Sequence, residues 1–172
     1  MQSFLDSQRG MKFTFPDTWN VVQYDKEPFY TERIMPNLQQ AKAIDFLCCD
    51  NTKLIFIEAK LYKEKNLEDV QCLVQEVCMQ FKDTIFGLTV AHVSNDTSLK
   101  LSSNALLPQH PTEHHKIELF VELAHEKHLL NKMANYKNIL DKVKMRFAKF
   151  GFAVRVLHSQ NMQNHPWKAE VL

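Results

Sequence analysis

Asp45, Glu58 and Lys60 are the residues of this 172-residue chain whose types and spacing point to hydrolytic chemistry. Asp45 lies in Ala43-Ile44-Asp45-Phe46-Leu47-Cys48-Cys49, and the other two close Leu54-Ile55-Phe56-Ile57-Glu58-Ala59-Lys60. Both stretches are apolar and β-prone. Asp50-Asn51-Thr52-Lys53 between them is turn chemistry, so 43–60 reads as a β-hairpin. A turn centred between Asn51 and Thr52 pairs Asp50 with Lys53, Cys49 with Leu54, Leu47 with Phe56 and Asp45 with Glu58. Directly opposed Cβ atoms lie ~5 Å apart. Lys60, two residues beyond Glu58, points to the same face.

Like charges opposed across strands are unfavourable by up to roughly 1 kcal/mol when exposed, and by more where water is scarce. Leu47 and Phe56 make this such a place. Either one carboxyl takes up a proton or a cation sits between the two. Lys60 supplies one positive charge. A divalent metal supplies two, and hard oxygen donors suit Mg2+ or Mn2+. Such a metal polarises a scissile phosphate and lowers the pKa of a bound water. A lysine beside it orients that water and offsets the charge that develops on phosphorus-bound oxygen. Phosphodiester hydrolysis is therefore the expected chemistry. Alone, Glu58-Ala59-Lys60 is a common charged strand end and Asp45 an ordinary surface carboxylate. The matched register, the shared face and the apolar residues between them make the combination specific.

The surrounding elements must hold this hairpin. Residues 19–25 read as a short strand around Val21 and Val22, and 26–40, with Pro28 and Pro36, as irregular chain or a short helix. The hairpin is apolar on both faces, which places it centrally and covers it on each side. A helix follows, with Asn66 as N-cap and Leu67, Val70, Val74, Val77, Phe81, Ile85 and Leu88 on one face. Residues 88–93 fit either its last turns or a short strand. The polar stretch 94–116, with Pro108 and Pro111, reads as a loop. In 117–123, Ile117, Leu119, Val121 and Leu123 alternate with Glu118, Phe120 and Glu122, giving a strand with one wetter face. Leu129, Met133, Tyr136, Leu140, Val143, Phe147 and Phe150 mark a second helix, stopped by Gly151, and 152–157 is a last strand. The four-and-three repeat of that helix fits a core face or a homodimer seam. The order predicts an α/β fold, a mixed sheet with helices on its faces. Residues 1–10 are expected to be a flexible arm, 11–158 a single domain and 159–172, with Trp167, a tail.

Composition narrows the function. Hydrophobic residues make up 45% and charged residues 24%, as in soluble globular proteins. No apolar run reaches the length of a membrane span, and the N-terminus lacks a secretion signal, so a cytoplasmic location is expected. Gly10, Gly87 and Gly151 are the only glycines, too few for a phosphate loop or a dinucleotide fingerprint. Cys48, Cys49, Cys72 and Cys78 lack zinc or redox spacing and read as reduced thiols. The net charge of +1 hides a basic stretch at 127–155 carrying +7, against −6 for the rest. That stretch is either a solvated helix face or a surface for a polyanion. His110, His114, His115, His125 and His128 cluster in sequence without metalloprotease spacing and read as exposed. Gln71 and Gln75 flank the apolar face of the first helix, as a solvated border or as polar groups near a phosphate.

Ile44-Asp45, a short turn, and Leu54-Ile55-Phe56-Ile57-Glu58-Ala59-Lys60 together resemble the signature of the PD-(D/E)XK nuclease superfamily, with Ile44 where the name has proline. The resemblance covers 43–60. It implies the restriction-endonuclease-like fold, a four-stranded mixed core sheet flanked by helices. It implies that Asp45 and Glu58 ligate Mg2+ with the backbone carbonyl of Ala59, and that Lys60 helps to activate water. Many members add a glutamate from an upstream helix, for which Glu32 is the candidate; its plainer role is a surface ion pair. The expected function is hydrolysis of nucleic acid, DNA before RNA. The alternative is a non-catalytic nucleic-acid-binding or interaction module of a restriction, repair or defence assembly. Intact Asp45, Glu58 and Lys60 favour the enzyme, and the near-neutral net charge favours the module.

Overall fold

Two successive crossovers decide which face of the central sheet carries the helices. The computed structural model describes residues 1–50, 53–62, 70–100, 116–123, 132–147 and 152–172. Strand β5 (Lys53–Tyr62) leads into helix α1 (Val70–Val93) and then into the parallel strand β6 (Lys116–Leu123). Helix α2 (Lys132–Phe147) follows, and then strand β7 (Ala153–Leu157), parallel to β6. Right-handed crossovers that step in one direction put both helices on one face. There Val77 and Phe81 of α1 share a core with Tyr136, Ile139 and Val143 of α2 and with Leu54, Phe56, Ile117, Leu119 and Val154 of the sheet. Burying each such large side chain contributes roughly 1.5–3 kcal/mol.

Ahead of β5 the sheet is antiparallel. Strand β3 (Asn20–Gln23) pairs with β4 (Phe46–Asp50), and β4 with β5, giving the order β3-β4-β5-β6-β7. The fold is thus α/β with a mixed sheet, as the element order predicts, but the sheet has five strands where the resemblance implies four, and the two long helices cover one face only. The hairpin register is the expected one: Asp50 faces Lys53, Cys49 faces Leu54 and Leu47 faces Phe56. The stretch after β3 forms a 3-10 turn (Tyr24–Lys26) and a π-helical turn (Phe29–Ile34). Residues 88–93 are the last turns of α1. Asn66, Gly151, the loop pair Asn51-Thr52 and the five clustered histidines lie outside the described residues.

The opposite face corrects three expectations. Strands β1 (Gln2–Asp6), β2 (Met11–Phe15) and β8 (Lys168–Val171) form a second, antiparallel sheet in the order β1-β2-β8. Residues 1–10 are therefore no loose arm, since β1 pairs with β2 from Gln2↔Phe15 to Asp6↔Met11. The tail is likewise ordered by β8, and Trp167 is fully buried. The physical reason lies in the central sheet, whose second face presents Phe46, Cys48, Ile55, Ile57, Ala59 and Phe120 and needs a cover. Phe13, Phe15, Trp19 and Trp167 supply it. The wetter face expected on β6 disappears under that cover, where Glu118 is 1% and Glu122 6% exposed.

The apolar repeat of α2 belongs to the core: Tyr136, Ile139, Val143 and Phe147 are buried within the domain, not set out as a dimer seam. Gly87 lets α1 approach Tyr24 closely, because a Cβ there would overlap the Tyr24 hydroxyl. The same Tyr24 donates its backbone N–H to the Asp45 carbonyl at 2.9 Å. Among the described residues no helix is long and apolar enough to cross a membrane.

Candidate functional site

Asp45 immediately precedes β4, and Glu58 and Lys60 lie on β5. The pairing of Phe46 with Ile57 carries one step further to set Asp45 beside Glu58. The contacts agree. The Asp45 N–H donates to Glu58 Oε2 at 3.2 Å, and the Ala59 N–H donates to Asp45 Oδ2 at 2.8 Å. Asp45 is 4% and Glu58 3% exposed. Lys60 Nζ lies 2.9 Å from Glu58 Oε1 and 3.2 Å from Glu76 Oε1. The expected trio is thus brought together on the helix-covered face.

Helix α1 supports the trio with a polar ridge. Glu76, Gln80 and Thr84 recur every four residues and so lie in one row. Gln80 Nε2 donates to Glu58 Oε1 at 2.9 Å and to the Ala43 carbonyl at 3.1 Å. Thr84 Oγ1 accepts from the Ile44 N–H at 3.2 Å, and Asp83 Oδ2 from the Lys42 N–H at 3.1 Å. The chain entering at Asp45 is therefore clamped residue by residue. Opposite the helix, Arg9 reaches in from the β1–β2 turn, with Nη1 2.8 Å from Asp45 Oδ1 and 3.5 Å from Asp6 Oδ2.

The electrostatics follow from crowding. Burial, and then the charge of Asp45, push Glu58 up to about 7 against the opposing pull of Lys60 and Gln80. Burial and Asp45 also push Asp25 up to about 6. Burial draws Lys60 down, but Glu58 and Glu76 outweigh it and hold the ammonium protonated. Burial raises Glu76, yet Lys60 and Lys42 outweigh it and keep that carboxylate ionised.

A divalent ion fits this donor set. Mg2+ is commonly bound by one or two carboxylates with waters completing its shell. Asp45 and Glu58 are two buried hard donors set side by side, and a divalent ion between them would take the place of the Arg9 and Lys60 charges that face them. In an extended strand the N–H and C=O of one residue point to the same side. The Ala59 carbonyl therefore faces, as its N–H does, the flank where β4 gives way to Asp45. Among the described residues no group of three or more His, Cys, Asp or Glu side chains is arranged as a metal cage. The fit is to two carboxylates and a carbonyl.

Glu32 is not part of this cluster. It is exposed on the π-helical turn, and no hydrogen bond or ion pair joins it to Asp45, Glu58 or Lys60. The helical acid beside Lys60 is Glu76. The helical glutamine on Glu58 is Gln80, one turn beyond the pair Gln71 and Gln75 singled out from the sequence. The four-residue spacing of Glu76, Gln80 and Thr84 along the apolar stripe was the available signal for this ridge. Arg9 had no such signal, because its position depends on the pairing of β1 with β2. No protein-family model, curated protein or solved structure matches the chain.

Proposed function

We propose that this chain is a metal-dependent nuclease that hydrolyses phosphodiester bonds of DNA, with Mg2+ or Mn2+ held by Asp45, Glu58 and the Ala59 carbonyl. The observation that carries the proposal is the buried opposition of Asp45 and Glu58 with the Lys60 ammonium 2.9 Å from Glu58. Two carboxylates so placed favour a cation strongly. When bound, a divalent ion supplies a Lewis acid for the phosphate and a water of lowered pKa. Lys60, protonated at neutral pH, serves as a cation; it orients the attacking water and offsets charge on the phosphate rather than taking a proton. Gln80 keeps Glu58 Oε1 in place, and the Ala59 N–H does the same for Asp45 Oδ2. The same reading assigns the sheet to the restriction-endonuclease-like fold, in keeping with its mixed order and two helical crossovers on one face. Exposed Lys137, Lys144 and Arg146 on α2 offer charge for a nucleic-acid backbone.

The test is cleavage of duplex, single-stranded and branched DNA with Mg2+ or Mn2+. Wild type should cut at least one substrate. Asp45→Asn, Glu58→Gln and Lys60→Ala should each lose about 10²–10³-fold in rate while remaining folded. Cleavage that persists in all three variants, or a wild type inert on every substrate, would overturn the assignment.

A further inference from the structure

Asp45 and Glu58 are each neutralised by a cation of the chain, and the two cations are held differently. Lys60 sits on the same strand as Glu58 and is tied to Glu76 as well. Arg9 comes from a turn 36 residues away in sequence from Asp45. The backbone of that turn is fixed: the Arg9 N–H donates to Asp6 Oδ1 at 3.0 Å, and Gly10, at φ 65°, accepts from the Leu172 N–H at 2.8 Å. Only the Arg9 side chain, 35% exposed, crosses to the site.

Three of the four carboxylate oxygens are gripped by donors built into the central sheet or α1. Asp45 Oδ2 takes the Ala59 N–H, Glu58 Oε2 the Asp45 N–H, and Glu58 Oε1 both Gln80 and Lys60. Asp45 Oδ1 is held by the guanidinium of Arg9, at the end of a long side chain. It is the oxygen whose partner leaves most readily.

We propose that Arg9 and a divalent cation compete for Asp45 Oδ1, and that the displaced guanidinium then binds a phosphate of the incoming DNA. The inference rests on reading Asp45 and Glu58 as metal ligands. Charge balance supports it: Arg9 and Lys60 together offset Asp45 and Glu58, so a divalent ion at the carboxylates makes both cations surplus there; Lys60 keeps Glu76 at 3.2 Å as a partner, and Arg9 is the one released. The anchored turn keeps that group within side-chain reach of the metal, where a phosphate would arrive. Its planar fork of donors suits a phosphate better than a point charge does. Metal and DNA then strengthen each other's binding by the same factor, with Arg9 adding to the coupling that contact of metal with phosphate supplies.

Calorimetric titration of Mn2+ into wild type, Arg9→Gln and Arg9→Lys, alone and with a short duplex, tests this. With its competitor gone, Arg9→Gln should bind Mn2+ about tenfold more tightly than wild type in the absence of DNA. Adding the duplex should tighten Mn2+ binding severalfold more in wild type than in Arg9→Gln, where the contact of metal with phosphate is the coupling that remains. Arg9→Lys keeps the charge and loses the fork, so its Mn2+ affinity should stay near wild type while the duplex effect falls severalfold. Equal or weaker Mn2+ binding by Arg9→Gln, or an undiminished duplex effect in Arg9→Lys, overturns the proposal. Wild type and Arg9→Gln both failing to bind Mn2+, with and without duplex, removes the metal site itself and this inference with it.

Discussion

The central sheet buries carboxylates on both faces and treats them in opposite ways. Under the second sheet, Glu118 accepts from Trp167 Nε1 at 2.6 Å and lies 3.4 Å from His165 Nε2, while Glu122 accepts the Ser159 N–H at 2.9 Å. Burial pushes Glu118 up, but His165 and Trp167 outweigh it and hold its pKa below the usual range. On the helix face, Glu58 is driven up to about 7 although five donor atoms contact the pair it forms with Asp45. Burial is the larger cause of the rise at Glu58, and the like charge of Asp45 adds a push that Glu118 does not meet. Glu118 meets donors on its own, whereas Glu58 shares its space with a second carboxylate. A buried acid is thus an ordinary structural device where donors meet it singly. Two acids forced together by strand register create a demand for positive charge, and the proposed metal site rests on that demand.

The sharpest way to break this comparison is to remove one acid from each face. Glu118→Ala should destabilise the fold by about 3 kcal/mol, since it opens a cavity and leaves the buried Trp167 N–H without its acceptor. Its Mn2+ binding should match wild type. Chemical denaturation and calorimetry on the same variant check both halves. A Glu118→Ala protein of full stability would show that this face is not held by its acids.

A smaller effect should appear in the pH dependence of stability without metal. The folded pKa of Glu58, about 7, lies above its ordinary 4.5, so the folded state takes up the proton first. This contribution to stability is therefore present at pH 5 and is lost as the pH rises through about 7. The loss should be about 2 kcal/mol between pH 5 and 8. Glu58→Gln should remove that slope while remaining folded. Urea denaturation of both proteins across this range in a chelator decides it, and parallel curves for the two would refute the crowding argument.

What was legible in the sequence is what depends on short-range pattern. The hairpin around Asn51-Thr52 set the register of Asp45 against Glu58, and the period of two carried Lys60 to the same face. Both helices and the strand at 117–123 follow from apolar periodicity, while the parallel pairing of β5, β6 and β7 is seen in the structure. The second sheet was hidden because its strands lie at opposite ends of the chain, and nothing local announces that Met11↔Val171 will pair. With it went Arg9, which reaches Asp45 only because β1 and β2 form. Alternation marks Glu118 and Glu122 as a wetter face because it identifies two faces but not what covers the second. Glu32 rests on a resemblance rather than on spacing, whereas the row of Glu76, Gln80 and Thr84 is open to a helical reading.

The central claim is that Asp45 and Glu58 form one cation site. Calorimetric titration of Mg2+ and Mn2+ into wild type, Asp45→Ala and Glu58→Ala, alone and with a short duplex, tests it most directly. The account predicts a single ion bound by wild type and binding abolished in both variants. A wild type silent even with DNA present, or binding that survives both substitutions, would contradict it.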